Sequence, residues 1–239
     1  MKKVFLSLLL VAAAGIASWA QKTVNDPNAE KRTVSGFHGI DVGTGIELTL
    51  THGNTEEVAV SASTVEFRDR IVTKVENGVL KIHYETKTGS INKKNETKSL
   101  KAYVSYKSLD KLHASTGAEV EITGVLQASS LDMKANTGAE ISGKADIGTL
   151  TVDQSTGSRV TPTGKAEKLE ADGSTGSRFT GEDMNTSNSE VRVSTGAKIT
   201  VNADKELQVK ASTGGIVRYK GNAGIREIKT HTGGVVSKI

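Results

Sequence analysis

A glycine that returns about every nineteen residues restricts this chain to folds built by stacking one short unit. From residue 115 the sequence writes Ser115-Thr116-Gly117, Asn136-Thr137-Gly138, Ser155-Thr156-Gly157, Ser174-Thr175-Gly176, Ser194-Thr195-Gly196, Ser212-Thr213-Gly214 and His231-Thr232-Gly233. The glycines stand 21, 19, 19, 20, 18 and 19 residues apart. Five residues before each is an apolar residue: Leu112, Met133, Val152, Ala171, Val191, Val209 and Ile228. Three residues after each is another: Val120, Ile141, Val160, Phe179, Ile199, Val217 and Val236. Leu131, Leu150, Leu169 and Leu207 form a partial third column, and the residue following each glycine is always small.

These columns are separated by even numbers, the periodicity of a strand with one face in and one face out. Units rich in Gly, Thr, Ser and Val are poor helix formers. Nineteen residues is also too short for a propeller blade or a two-helix repeat. The unit fits one coil of a parallel β-solenoid (β-helix), two or three short strands joined by tight corners, with the glycine at a corner. One coil buries three or four aliphatic side chains, worth about 5–10 kcal/mol. Ordering its backbone costs about 1–2 kcal/mol per residue, so a lone coil cannot stand and neighbours must cover it. An all-β solenoid is expected over residues 108–239.

Residues 34–107 read as a β-rich hairpin cap over the first coil. Ile40 to Leu50 alternates, and a turn at His52-Gly53-Asn54 leads to a second strand through Val58 and Val60. Ser63-Thr64-Val65-Glu66 opens a short helix over residues 65–71. Asn77-Gly78 joins strands 74–76 and 79–84 in a hairpin. Residues 87–98 form a polar, lysine-bearing loop, and residues 100–106 lead into the solenoid. Residues 21–33 are polar and expected as a mobile leader. Ahead of them Lys2 and Lys3, an apolar run over residues 4–16 and Ser18-Trp19-Ala20 have the layout of a signal peptide cleaved before Gln21. The run is too short to span a bilayer. The protein is therefore expected to be exported, to the periplasm, the outer surface or the medium.

Composition removes several functions. With no cysteine there are no disulfides, thiolate metal sites or thiol nucleophiles. The 31 basic and 27 acidic residues are interspersed, and 29 against 27 remain without Lys2 and Lys3, which disfavours nucleic acid as a partner. The five histidines, His38, His52, His83, His113 and His231, lack metal-ligand spacing, and no calcium-binding nonapeptide occurs. No metal or cofactor is expected. Trp19, the only tryptophan, lies in the signal peptide. Sugar recognition is left to Tyr84, Tyr103, Tyr106 and Tyr219, and so to shallow, polar contacts.

Two residues after the glycine stand Glu119, Glu140, Arg159, Arg178 and Lys198. On stacked coils they fall about 4.8 Å apart, an acidic patch beside a cationic strip able to hold an anionic sugar. A solvated edge column has the same composition, and its ion pair would be worth about 0–1 kcal/mol. Glu119 and Glu140 are the only pair suited to a polysaccharide-active enzyme working on acidic glycans, since Asp132, Asp153 and Asp172 converge on nothing. The threonine before each glycine either points outward in a hydroxyl array or caps a corner amide, and capping is the expectation. In the last coil Val235 and Val236 are expected as an edge that pairs with another copy or another envelope protein.

The opening Phe37-His38-Gly39-Ile40-Asp41-Val42, the following Gly45-Ile46-Glu47-Leu48, the hairpin Asn77-Gly78-Val79-Leu80-Lys81-Ile82 and the serial Ser-Thr-Gly-Ala coils resemble the putative auto-transporter adhesin, head GIN domain family. The likeness covers residues 34–239. It implies an exported bacterial β-solenoid with a role in adhesion or cell-surface carbohydrate contact, and it brings no catalytic residues. The reading is a non-enzymatic binding or adhesion module that contacts glycans or envelope partners. The alternatives are the enzyme on acidic glycans and a structural envelope protein whose stacking is its function.

Overall fold

The computed structural model describes residues 26–86 and 97–239. The signal peptide, its cleavage before Gln21 and residues 87–96 of the polar loop lie outside the described residues. The chain is a β-solenoid whose central coils are each one long bent strand. β9 (Glu119–Ala135), β10 (Glu140–Gln154), β11 (Arg159–Gly173), β12 (Arg178–Val193) and β13 (Lys198–Ala211) stack in parallel and in sequence order. The end of the stack is split into β14 (Ile216–Lys220) and β15 (Gly224–Thr230), both on β13, and β16 (Val235–Lys238), which lies one rung further, on β14. Register puts like positions over like: Val152 lies between Met133 and Ala171, and Phe179 between Val160 and Ile199, all buried.

The corners are type I′ turns. In the seven repeats the threonines have φ of 45–52° and the glycines 70–74°. Both central residues therefore lie in the left-handed region, and a backbone bond from the fourth residue to the first closes the turn, as from Ala118 N–H to Ser115 O at 3.1 Å. Each of these glycines except Gly233, the last, then donates its N–H to the threonine carbonyl of the next coil, Gly138 to Thr156 at 3.0 Å for example. Glycine adopts this conformation freely, but a β-branched threonine does so at about 1–2 kcal/mol. The small residue that follows is buried under the corner, where Ser158 and Ser177 donate their hydroxyls to the carbonyls of Ala135 and Gln154 at 2.8 and 3.2 Å.

Capping by the threonine hydroxyls fails in these seven corners. The backbone bonds already occupy the corner's polar groups, and the threonine side chains stand exposed. Thr137 and Thr156 reach only the side chains of Asn136 and Ser155. The one cap is in an eighth corner, where the Thr44 hydroxyl accepts from the Tyr84 N–H at 3.2 Å.

That eighth corner, Gly43-Thr44-Gly45, joins β2 (Gly39–Val42) to β3 (Glu47–His52), with φ of 61° at Thr44 and 68° at Gly45. β2 pairs in parallel with β8 (Lys111–Ala114), and β3 with β9. On their other side β6 (Val79–Tyr84) and β7 (Lys101–Tyr106) pair with β2 and β3, also in parallel. The coil of residues 39–52 thus lies between the two coils that follow it in sequence. Antiparallel strands close this end: β4 (Glu57–Ser61) on β7, β1 (Glu30–Arg32) on β4, and β5 (Ile71–Glu76) on β6. The strands flanking His52-Gly53-Asn54 do not pair with each other, because β7 inserts between them. The Asn77-Gly78 hairpin forms between β5 and β6, and Thr64 caps a one-turn helix, α1 (Val65–Arg68). β1 falls inside the stretch read as a leader.

Candidate functional site

The outward side chains two residues past each corner glycine form one row across the coils. In register it runs Lys101, Glu47, Glu119, Glu140, Arg159, Arg178, Lys198, Ile216 and Val235. All five residues expected in the charged strip therefore stand in line, and Glu47 joins them. The row is on an open sheet face: Glu119, Arg159, Arg178 and Lys198 are exposed and Glu140 half-exposed. Glu140 and Arg159 meet at the change of sign, with Oε1 and Nη1 2.5 Å apart. Among the described residues neither the Arg178 guanidinium nor the Lys198 ammonium enters an ion pair, nor does the Glu119 carboxylate.

Like charges directly opposed across a ladder destabilise a sheet. Unit charges one rung apart repel by about 0.9 kcal/mol even at the dielectric of water. The run Arg159, Arg178, Lys198 is such an arrangement, relieved at one end only. Two residues further along, on the same outward side, each cation has a hydroxyl neighbour: Thr161, Thr180 and Thr200. A cation and a hydroxyl are thus repeated on three successive coils.

The face across the Thr-Gly corners is different. There Asp153, Asp172, Arg192 and Lys210, with Ser174, Ser194 and Ser212, line a shallow groove of about 290 Å³. Of its charges Arg192 lies 3.4 Å from Asp172 and against Glu190, while among the described residues Asp153 and Lys210 enter no ion pair; beside the groove Lys168 lies against Glu170. Further along this side His113 is 3.3 Å from Asp132, and Arg226 3.1 Å from Glu206.

Glu119 and Glu140 are neighbours in the row, but they stand on the open sheet face and Glu140 is engaged by Arg159. Among the described residues no group of three or more His, Asp or Glu gathers as metal ligands. Nor is any described helix long and apolar enough to cross a membrane. Glu47 escaped the sequence columns because 72 residues separate Gly45 from Gly117, yet Ile40 five before Gly45 and Leu48 three after it fit the repeat.

A family model for the putative auto-transporter adhesin, head GIN domain matches residues 36–223. The chain belongs to this family. A match over that span takes in the strip, the groove and, β1 apart, the capped end, and stops before β15. Solved structures share the fold at low identity. A putative adhesin from Bacteroides fragilis is 18% identical, with a TM-score of 0.76 over 88% of this chain and 96% of that one. One from Parabacteroides merdae is 15% identical, with a TM-score of 0.69 over 88% and 95%. A putative lipid binding protein from Parabacteroides distasonis is 16% identical, with a TM-score of 0.67 over 90% and 98%. No curated protein matches the chain. Family and fold together make this an adhesion-type module.

Proposed function

We propose that the protein is an exported, non-catalytic adhesion module that holds a linear acidic glycan along the row Arg159, Arg178 and Lys198. The observation that carries this reading is the stack of three like charges with a counter-charge at one end only, each beside a threonine hydroxyl. A polyanion laid along the coils meets one cation and one hydroxyl per rung, and it relieves the repulsion that the row carries alone. Contacts of this kind are weak singly and add up along a repeating chain. Glu140 and Glu119 bound the strip at one end, disfavour extension of an acidic ligand past Arg159, and so fix where it lies.

The test is binding of polygalacturonate and hyaluronan, with neutral dextran as the control. The acidic polymers bind, the affinity falls as salt rises, and Arg178→Glu with Lys198→Glu weakens it by about tenfold or more. Equal binding of dextran, or binding unchanged by the double reversal, overturns the proposal. New reducing or unsaturated ends, lost in Glu140→Gln, would replace it with the enzyme reading.

A further inference from the structure

We propose that the last coil is a self-association surface, on which a second copy of the chain docks end to end and antiparallel, with Ile228 facing its own counterpart. The apolar columns of the core surface here. Ile225 is 45% exposed and Ile228 41%, whereas Leu207 and Val209, their partners one coil earlier, are fully buried. β15 pairs with β13 and β16 with β14, and among the described residues no strand takes the other edge of either. At the opposite end β4 and β1 on β7, and β5 on β6, cover the apolar columns antiparallel, so that Leu80, Ala102 and Val104 are buried.

The loop over residues 87–96 is anchored at both ends beside β6 and β7, so it extends at most about 18 Å from them. β15 and β16 lie eight rungs away, about 38 Å.

The charges of β15 select a second copy. Lys229 Nζ is 2.5 Å from Glu227 Oε1, so these two side chains share the outer side of the strand while Ile228 between them turns to the core side. Antiparallel pairing centred on Ile228 sets Ile228 against Ile228 inside. Outside it sets Glu227 against the partner's Lys229, twice by symmetry. Arg226, the bulged residue of β15, is tied back to Glu206 at 3.1 Å and stays out of the pairing. Because the surface is self-complementary, the contact closes on itself and assembly stops at two copies. One coil's cross-section is a small interface, so the dissociation constant is of micromolar order.

Light scattering and sedimentation of the full chain up to about 200 μM test this, a range that spans a micromolar dissociation constant. The wild type moves from monomer to twice its mass as concentration rises, and Ile228→Lys abolishes the transition with its circular dichroism unchanged. Glu227→Lys and Lys229→Glu each weaken dimerisation by about tenfold or more, and an equimolar mixture of the two restores it, because each supplies the charge that the other lacks. Monomer at every concentration, a dimer that survives Ile228→Lys, or a mixture no tighter than its components overturns the proposal.

Discussion

The two ends of the stack place the same apolar columns in opposite surroundings. Ile40, five residues before the first corner glycine, is fully buried, with β6 on one side and β8 on the other. Ile228, at the same position in the last coil, is 41% exposed and has a neighbour on one side only. The capped end is also filled with larger side chains, among them Phe37, Leu48, Leu50, Tyr84 and Tyr106, and burial pushes the Tyr106 hydroxyl up to about 12. In the coil of β13, towards the other end, the interior holds no aromatic ring and mixes Ile199 and Leu207 with the smaller Ala197, Val201, Ala203, Val209 and Ala211. A coil here owes its order to what lies above and below it, and the two ends differ most in that respect.

The contrast is broken most directly by cavity-forming substitutions. Leu48→Ala removes a fully buried side chain between two coils and costs about 2–5 kcal/mol in denaturant unfolding, whereas Ile228→Ala in the dilute monomer costs under about 1 kcal/mol. Equal losses would mean that the ends are equally supported. Amide hydrogen exchange sharpens the comparison without mutation: β15 and β16 lose protection first, and β3 and β9 hold theirs to the global limit. Uniform protection along the stack would show one cooperative unit with no weak end. The smallest effect lies in the corners. Thr156→Asn suits the left-handed turn and stabilises by up to about 1 kcal/mol, and Thr44→Asn gains less because it gives up the bond from Tyr84 N–H. A loss of stability in Thr156→Asn would show that the threonine column is held by contacts between coils.

What could be read in the sequence is what repeats. Columns such as Val160, Phe179 and Ile199 lie at fixed distances from a glycine, so they assign the buried face and the register together. The alignment of Glu119, Glu140, Arg159, Arg178 and Lys198 follows from the same spacing. The coil of β2 and β3 carries the same signature at Ile40, Gly45 and Leu48. It is hidden because β4 to β7 are inserted between it and the next copy, and with it Glu47 was missed. The direction of the threonine hydroxyls could not be read, because an exposed array and a capped corner ask for the same Ser-Thr-Gly. Only the left-handed φ of the threonine, with the backbone closing the turn, decides between them. Pairing across His52-Gly53-Asn54 failed for a similar reason: the local turn signal carries no word of β7, about fifty residues on, which takes the place beside β3.

The lacing of β3 between β7 and β9 gives the molecule a direction under mechanical load. A pull on the last coil can peel the stack one rung at a time, each rung giving way against a single neighbour. A pull on β3 must shear two ladders together, with Leu48 and Leu50 gripped from both sides. A surface-borne protein tethered through its capped end would thus bear tension where it is strongest and yield first at its free tip.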